Sequence, residues 1–147
     1  MNDHQQERIV TRLFKEMFNT LANKKIALFG FAFKADTGDT RETPAGYVAR
    51  LLADEHVRIT ITDPKALENA KKDLADLTAV TYELDPYRAA KGADAIVLMT
   101  DWKEYPSLDW AKLYKSMRHP SLVFDTRNCL NAKQLRVLGF KVLNIGK

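Results

Sequence analysis

The sequence predicts a doubly wound α/β fold, a parallel sheet of about six strands preceded by one extra N-terminal helix. Three observations lead there. Short apolar runs alternate with amphipathic stretches of about ten residues, the signature of repeated βαβ units. The run Ala95-Ile96-Val97-Leu98-Met99 has no polar alternation, which suits a central parallel strand covered on both faces. No internal repeat, low-complexity tract or Pro/Gly/Ser-rich linker divides the 147 residues, so a single core is expected.

Residues 5–22 are expected to be helical, because Ile9, Val10, Leu13, Phe14, Met17, Phe18 and Leu21 recur at three-to-four spacing opposite Arg8, Arg12 and Glu16. After Asn23 the period changes. Lys25-Ile-Ala-Leu-Phe-Gly30 reads as a buried strand, and similar runs follow at 57–62, 80–83, 94–100, 122–125 and 140–145. A helix opens at Thr43-Pro44, with threonine as N-cap and proline at the first helical position, and is expected to bury Tyr47, Val48, Leu51 and Leu52. Further helices are expected near 64–74, 86–91, 109–117 and 131–138, the last opened by Asn131 with Gln134 as a capping pair. The leading helix is unusual, since an α/β sheet ordinarily begins with its first strand. It is expected to serve a partner subunit or a neighbouring domain.

Composition narrows the function classes. Hydrophobic residues make up 46% of the chain and aromatic residues 10%, which argues against disorder. The longest apolar run is five residues, whereas a membrane span needs about 20, so no membrane partner is expected. The polar start MNDHQQERIV lacks a secretory core, and a lone cysteine, Cys129, excludes an internal disulfide framework; both suit a cytoplasmic protein. The net charge of +4 comes from interspersed signs. That favours a basic pocket for an anion over a nucleic-acid face.

In an open parallel sheet, ligands bind beyond the carboxyl ends of the strands, near the point where strand order reverses. The exit of the first strand, Gly30-Phe-Ala-Phe-Lys34-Ala-Asp36-Thr-Gly38-Asp39-Thr-Arg41-Glu-Thr43-Pro44, is long for a connection that usually takes about 2–6 residues. It ends at a helix N-terminus, which attracts anions, and it carries Lys34 and Arg41. It is either a phosphate or diphosphate site or a solvated loop whose charges pair internally with Asp36, Asp39 and Glu42. It is not a dinucleotide fingerprint, because Phe31, Ala32 and Phe33 follow Gly30 where G-x-G-x-x-G is required. Nor does Asp36-Thr-Gly38-Asp39 make a calcium loop. Arg127, after the strand 122–125, either forks onto a phosphate, sugar hydroxyl or carboxylate, or pairs with Asp125 or the loop carboxylates. Asp63 suits a turn opening better than a ribose-binding acid, and Trp102 suits closing the sheet better than stacking a base.

Cys129 is the one candidate nucleophile, but no histidine lies near it in sequence, so a small buried hydrophobe is the better reading. His4, His56 and His119 are far apart. No metal site and no Ser-His-Asp arrangement is expected. A receiver-type signalling domain shares the layer architecture but needs acidic residues where Gly30-Phe31-Ala32 stand.

Taken together, Lys25-Ile-Ala-Leu-Phe-Gly-Phe-Ala-Phe-Lys34 and Asp-Thr-Gly-Asp-Thr-Arg41-Glu resemble the C-terminal domain of the UDP-glucose/GDP-mannose dehydrogenase family, in a form most similar to its animal-like UDP-glucose members. The likeness continues through Thr62-Asp63-Pro64, Asp85-Pro86-Tyr87, Gly92-Ala93-Asp94-Ala95, Thr100-Asp101-Trp102, Phe124-Asp125-Thr126-Arg127 and Gly139-Phe140 to Ile145-Gly146, spanning residues 2–147. The resemblance implies a Rossmann-like domain that holds a UDP-sugar for a two-step, NAD-linked oxidation of UDP-glucose to UDP-glucuronate. On this likeness Phe33, Lys34 and Arg127 are substrate-binding residues and Arg41 reaches the cofactor. Residues 1–22 are the end of a central dimerisation helix, and 23–147 are the UDP-sugar-binding domain. NAD would be bound mainly by a domain this chain lacks, and no catalytic residue lies in the chain, because Cys129 falls where the family has an aliphatic residue. The implied partners are the missing NAD-binding and central helical domains, in a homo-oligomer that supplies polysaccharide biosynthesis. Two alternatives stand beside this. One is a non-catalytic interaction or regulatory module that assembles through the stripe Ile9–Leu21; the other is the equivalent domain of a GDP-mannose or UDP-amino-sugar dehydrogenase.

Overall fold

The computed structural model describes residues 3–17, 22–32 and 43–145. In chain order they form α1 (Asp3–Glu16), β1 (Lys25–Phe29), α2 (Pro44–Asp54), β2 (Arg58–Thr62), α3 (Leu67–Asp73), β3 (Val80–Tyr82), α4 (Pro86–Ala90), β4 (Ala95–Leu98), α5 (Trp110–Ser116), β5 (Leu122–Asp125), α6 (Ala132–Leu138) and β6 (Lys141–Asn144). The sheet order is β3-β2-β1-β4-β5-β6, and every pair is parallel. This is the doubly wound Rossmann-like order, with the reversal between β1 and β4. Ile26 to Phe29 and Ala95 to Leu98 are buried throughout, as central parallel strands require.

Crossover handedness distributes the helices. Right-handed connections place α2 and α3, which step outward from β1 to β3, on one face; α4, which crosses back from β3 to β4, and α5 and α6, which step outward from β4 to β6, lie on the other. The first face is then left without a crossover helix over β4, β5 and β6. There α1 lies, packed beside α2, with Ile9, Leu13 and Met17 buried in the common core. Arg12 Nη1 donates to Asn144 O at 2.7 Å, and its guanidinium lies 5.5 Å over the Phe124 ring. Glu16 forms an ion pair with Lys141. Arg12 therefore meets the end of β6 and Glu16 its beginning. The helix runs antiparallel to the strands, its N-terminus over their carboxyl edge.

Several expected features change in detail. The leading helix spans Asp3–Glu16 rather than 5–22, with Met17 in the turn after it; Phe18 and Leu21 lie outside the described residues. Arg12 and Glu16, expected opposite the apolar stripe, fasten α1 to the sheet. The apolar positions Ile9, Leu13 and Met17 are used by the chain's own core, so that part of the stripe is not left for an assembly partner. Helix α3 starts at Leu67 rather than near Pro64, because the Asp63 side chain first closes a turn onto the N–H groups of Lys65 and Ala66. In α2, Val48 and Leu52 are buried, but Tyr47 is exposed. Thr43 occupies the N-cap position, yet its hydroxyl donates to Phe31 O at 2.8 Å and makes no cap bond to α2. Asn131 does cap α6, accepting from Gln134 N at 3.1 Å.

Gly30 sets how closely β1 and β4 approach at their exits. Its φ is +99°, and a Cβ there would sit 2.5 Å from the Thr100 Cβ. Gly92 has φ +72°, but a Cβ added to it would meet nothing within 4 Å. The pair therefore separates conformation from space. Gly92→Ala should cost about 1 kcal/mol, the ordinary left-handed penalty. Gly30→Ala adds a backbone-backed clash and should cost roughly 3 kcal/mol. Urea denaturation of the two variants measures the difference; equal losses would refute the steric part.

Candidate functional site

The strand exits meet at the β1/β4 reversal around one buried carboxylate. Asp63, directly after β2, is almost wholly inaccessible. Its Oδ2 accepts from Phe31 N at 2.7 Å, Ala32 N at 3.0 Å and Trp102 Nε1 at 3.1 Å. Its Oδ1 accepts from the N–H groups of Lys65 and Ala66, both at 2.8 Å. Five donors saturate a carboxylate that could not otherwise stay charged out of water. Thr100 adds a second tie, its hydroxyl donating to Ala32 O at 2.9 Å. Asp63 and Trp102 therefore hold structure rather than ligand, as the sequence favoured.

These bonds pin both ends of the long β1–α2 connection. Phe31 and Ala32 are held by Asp63 and Thr100, and Thr43 returns to Phe31 O. Phe33, Lys34 and Arg41, with Asp36 and Asp39, lie outside the described residues.

The exit of β5 lies two strands away from β1. Asp125 is buried and accepts from Arg127 N at 3.1 Å and Leu130 N at 2.8 Å, so it organises the turn internally. Thr126 donates from both its backbone N and its hydroxyl to Leu98 O, at 3.1 and 2.7 Å, joining this turn to the end of β4. The Arg127 guanidinium does not pair with Asp125. It stands 3.7 Å from Asp101 Oδ2, both side chains being more than a third exposed. A contact that long and wet is worth less than about 1 kcal/mol, and among the described residues it is the one ion pair the guanidinium makes.

Cys129 is half-buried behind this turn. Burial, then the neighbouring Asp125 and Asp101, push its thiol up to about 11. It is a protonated thiol at neutral pH and no nucleophile. Sequence reasoning missed Tyr105, whose ring packs 5.5 Å from Phe29 and whose hydroxyl is buried without a hydrogen-bond partner among the described residues. Burial, with Asp63 nearby, raises its pKa. Nothing in Glu104-Tyr105-Pro106 distinguishes such a residue from ordinary core. Among the described residues, no helix is long and apolar enough to cross a membrane, and no cluster of His, Cys, Asp or Glu could hold a metal ion.

Residues 27–132 match the model of the UDP-glucose/GDP-mannose dehydrogenase family, UDP binding domain. The chain belongs to this family. It is 42% identical to the UDP-glucose 6-dehydrogenase of Caenorhabditis elegans over 99% of its own length and 32% of that protein. It is also 42% identical to UDP-glucose 6-dehydrogenase 2 of Arabidopsis thaliana, over 100% of the chain and 35% of that protein. Among solved structures, a UDP-glucose dehydrogenase from Pyrobaculum islandicum superposes with a TM-score of 0.72 at 27% identity, covering 94% of this chain and 30% of that one. The chain thus spans about a third of the length of the family members it matches.

Family membership raises the question of where a dinucleotide would sit, and the described residues do not fit one at the reversal. The Phe31 and Ala32 amides that would face its pyrophosphate are taken by Asp63. Asp63 is itself saturated, leaving no lone pair for a ribose hydroxyl.

Two outcomes follow for the site's framework. Asp63→Asn turns donors toward donors at a buried point and should cost at least about 3 kcal/mol in chemical denaturation; a loss under 1 kcal/mol would contradict the shared anchor. Cys129 should alkylate with iodoacetamide roughly a hundredfold more slowly than a free thiol at pH 8, with a rate still climbing at pH 10. A plateau near pH 8.5 would contradict the raised pKa.

Proposed function

We propose that this chain is the UDP-sugar-holding portion of a UDP-glucose 6-dehydrogenase, and that its carboxyl edge grips the diphosphate of UDP-glucose. The observation that carries the reading is Arg127: a weakly paired guanidinium held on a fixed turn at the ligand-binding edge of a doubly wound sheet. Planar forked donors of this kind suit phosphate oxygens. Two further features support it. Thr43 gives its hydroxyl to Phe31 rather than to α2, so the α2 N-terminus keeps no side-chain cap from that residue and can favour an anion. Lys34 follows Ala32, which Asp63 pins, by two positions in the sequence and adds a cation to the same connection.

In this reading Phe33, Lys34 and Arg127 contact the nucleotide sugar, and Arg41 reaches the cofactor. NAD is carried mainly by protein beyond this chain, consistent with the lack of fit at the reversal. The chain itself supplies binding and orientation, and hydride transfer needs the other domains. Within residues 1–22, helix α1 is the end of a central helix that joins subunits of a homo-oligomer, and 23–147 is the UDP-sugar domain. The setting is the cytoplasm, where UDP-glucuronate feeds polysaccharide biosynthesis. The interaction-module alternative loses ground, because Ile9, Leu13 and Met17 are already buried in the chain's own core.

Calorimetric titration with UDP tests the assignment. Lys34→Ala and Arg127→Ala should each weaken binding by about 1–3 kcal/mol if each makes a charge-assisted bond, and wild-type affinity should fall as salt rises. Unchanged affinity in both variants would remove the site. Competition between UDP and GDP separates a UDP-sugar enzyme from a GDP-mannose sibling.

A further inference from the structure

Besides the Thr126 bonds to Leu98 O, the turn that carries Arg127 is fastened by two further groups. From inside, Asp125 takes the N–H groups of Arg127 and Leu130. From outside, Asn128 holds it to the end of β6. Asn128 sits in the left-handed region at φ 55°, a conformation asparagine tolerates better than most residues. Its side chain is used at both ends: Oδ1 accepts from Asn144 Nδ2 at 3.0 Å, and Nδ2 donates to Ile145 O at 3.1 Å. Rotating that amide would oppose donor to donor and oxygen to oxygen, so its partners determine its orientation. Asn144 is buried, stands in register with Asp125, and is itself held through its carbonyl by Arg12 of α1. The turn is thus closed onto a rigid strand end on either side of Arg127.

We propose that Asn128 and Asn144 are positioning residues, an amide clasp that aims the Arg127 guanidinium at the diphosphate of the nucleotide sugar. The proposal rests on the reading of Arg127 as a diphosphate ligand. The need for a clasp follows from the geometry at the other end of the side chain. Asp101 holds the guanidinium only loosely, at 3.7 Å and in solvent, so the direction of this long side chain depends on the backbone beneath it. Asp125 fixes the N–H groups of Arg127 and Leu130 but makes no bond to Asn128 between them. The clasp supplies that missing restraint.

The test uses the full 147-residue chain in five forms: wild type, Asn144→Ala, Asn128→Gly, Arg127→Ala and the double variant Arg127→Ala with Asn144→Ala. Asn128→Gly keeps the left-handed backbone accessible while deleting the clasp. UDP and inorganic pyrophosphate are titrated against each, thermal unfolding monitors folding, and the Arg127 Nε–Hε resonance is followed by NMR. Asn144→Ala and Asn128→Gly should each weaken UDP by about three- to tenfold, the range expected for one lost hydrogen bond. The Asn144 change should add nothing once Arg127 is gone, and in Asn144→Ala the Arg127 Nε–Hε signal should move toward its unfolded position. A weakened Arg127→Ala beside an unaffected Asn144→Ala overturns the clasp alone, as does full additivity in the double variant or an unmoved Arg127 signal. An Arg127→Ala chain that binds both probes as well as wild type, or a wild type that binds neither, overturns the ligand reading and the clasp's role with it.

Discussion

The carboxyl edge of this sheet is organised by the charge on Asp63. A carboxylate removed from water is tolerable only when nearly all its lone pairs are met, and here the donors come from segments following β1, β2 and β4. Those three exits cannot shift independently, because moving one strips a bond from a buried anion. The same arrangement takes the Phe31 and Ala32 amides out of service for any ligand. A glycine-rich turn recognises phosphate with such amides; this chain has used them internally. Among the described residues, the edge instead presents the Arg127 side chain on a hydrogen-bonded turn and the N-terminus of α2.

Handedness explains the leading helix just as directly. A sheet wound outward in both directions from β1 and β4 leaves half of one face without a crossover helix, and exposed apolar strands would be costly there. Helix α1 covers that half, and Arg12 and Glu16 reach past its apolar stripe to bond β6. An ion pair such as Glu16 with Lys141, about half exposed on the lysine side, contributes little to stability. Its service is registry, since the buried Ile9, Leu13 and Met17 would tolerate some sliding along a smooth apolar face.

Much of the fold is legible in the sequence because burial on both faces imposes long apolar runs, and those runs place all six strands to within a residue or two. The helix boundaries are less legible where a side chain intervenes. Asp63 delays α3, and the pattern Asp-Pro gives no sign that the aspartate will also reach three N–H donors distant in sequence. Arg127 can be picked out by its place after a strand. Its neighbours cannot: Asn128 and Asn144 are sixteen residues apart, are polar without periodicity, and acquire meaning only when β5 and β6 pair. The partner of the Arg127 guanidinium is likewise hidden, because Asp101 belongs to the adjacent strand's exit rather than to its own turn. Tyr105 escapes for a related reason, since an aromatic residue headed for the core leaves no trace of whether its hydroxyl will find an acceptor.

The hydrogen bond from Thr43 to the Phe31 carbonyl has a consequence for how such a domain can diversify. The segment between them departs from and returns to one fixed knot, so residues can be added or removed there without tugging on the sheet. Loop closure entropy rises only slowly with length, by about 0.6 kcal/mol for each doubling. Changes of length between Phe31 and Thr43 therefore leave the architecture at the two ends intact.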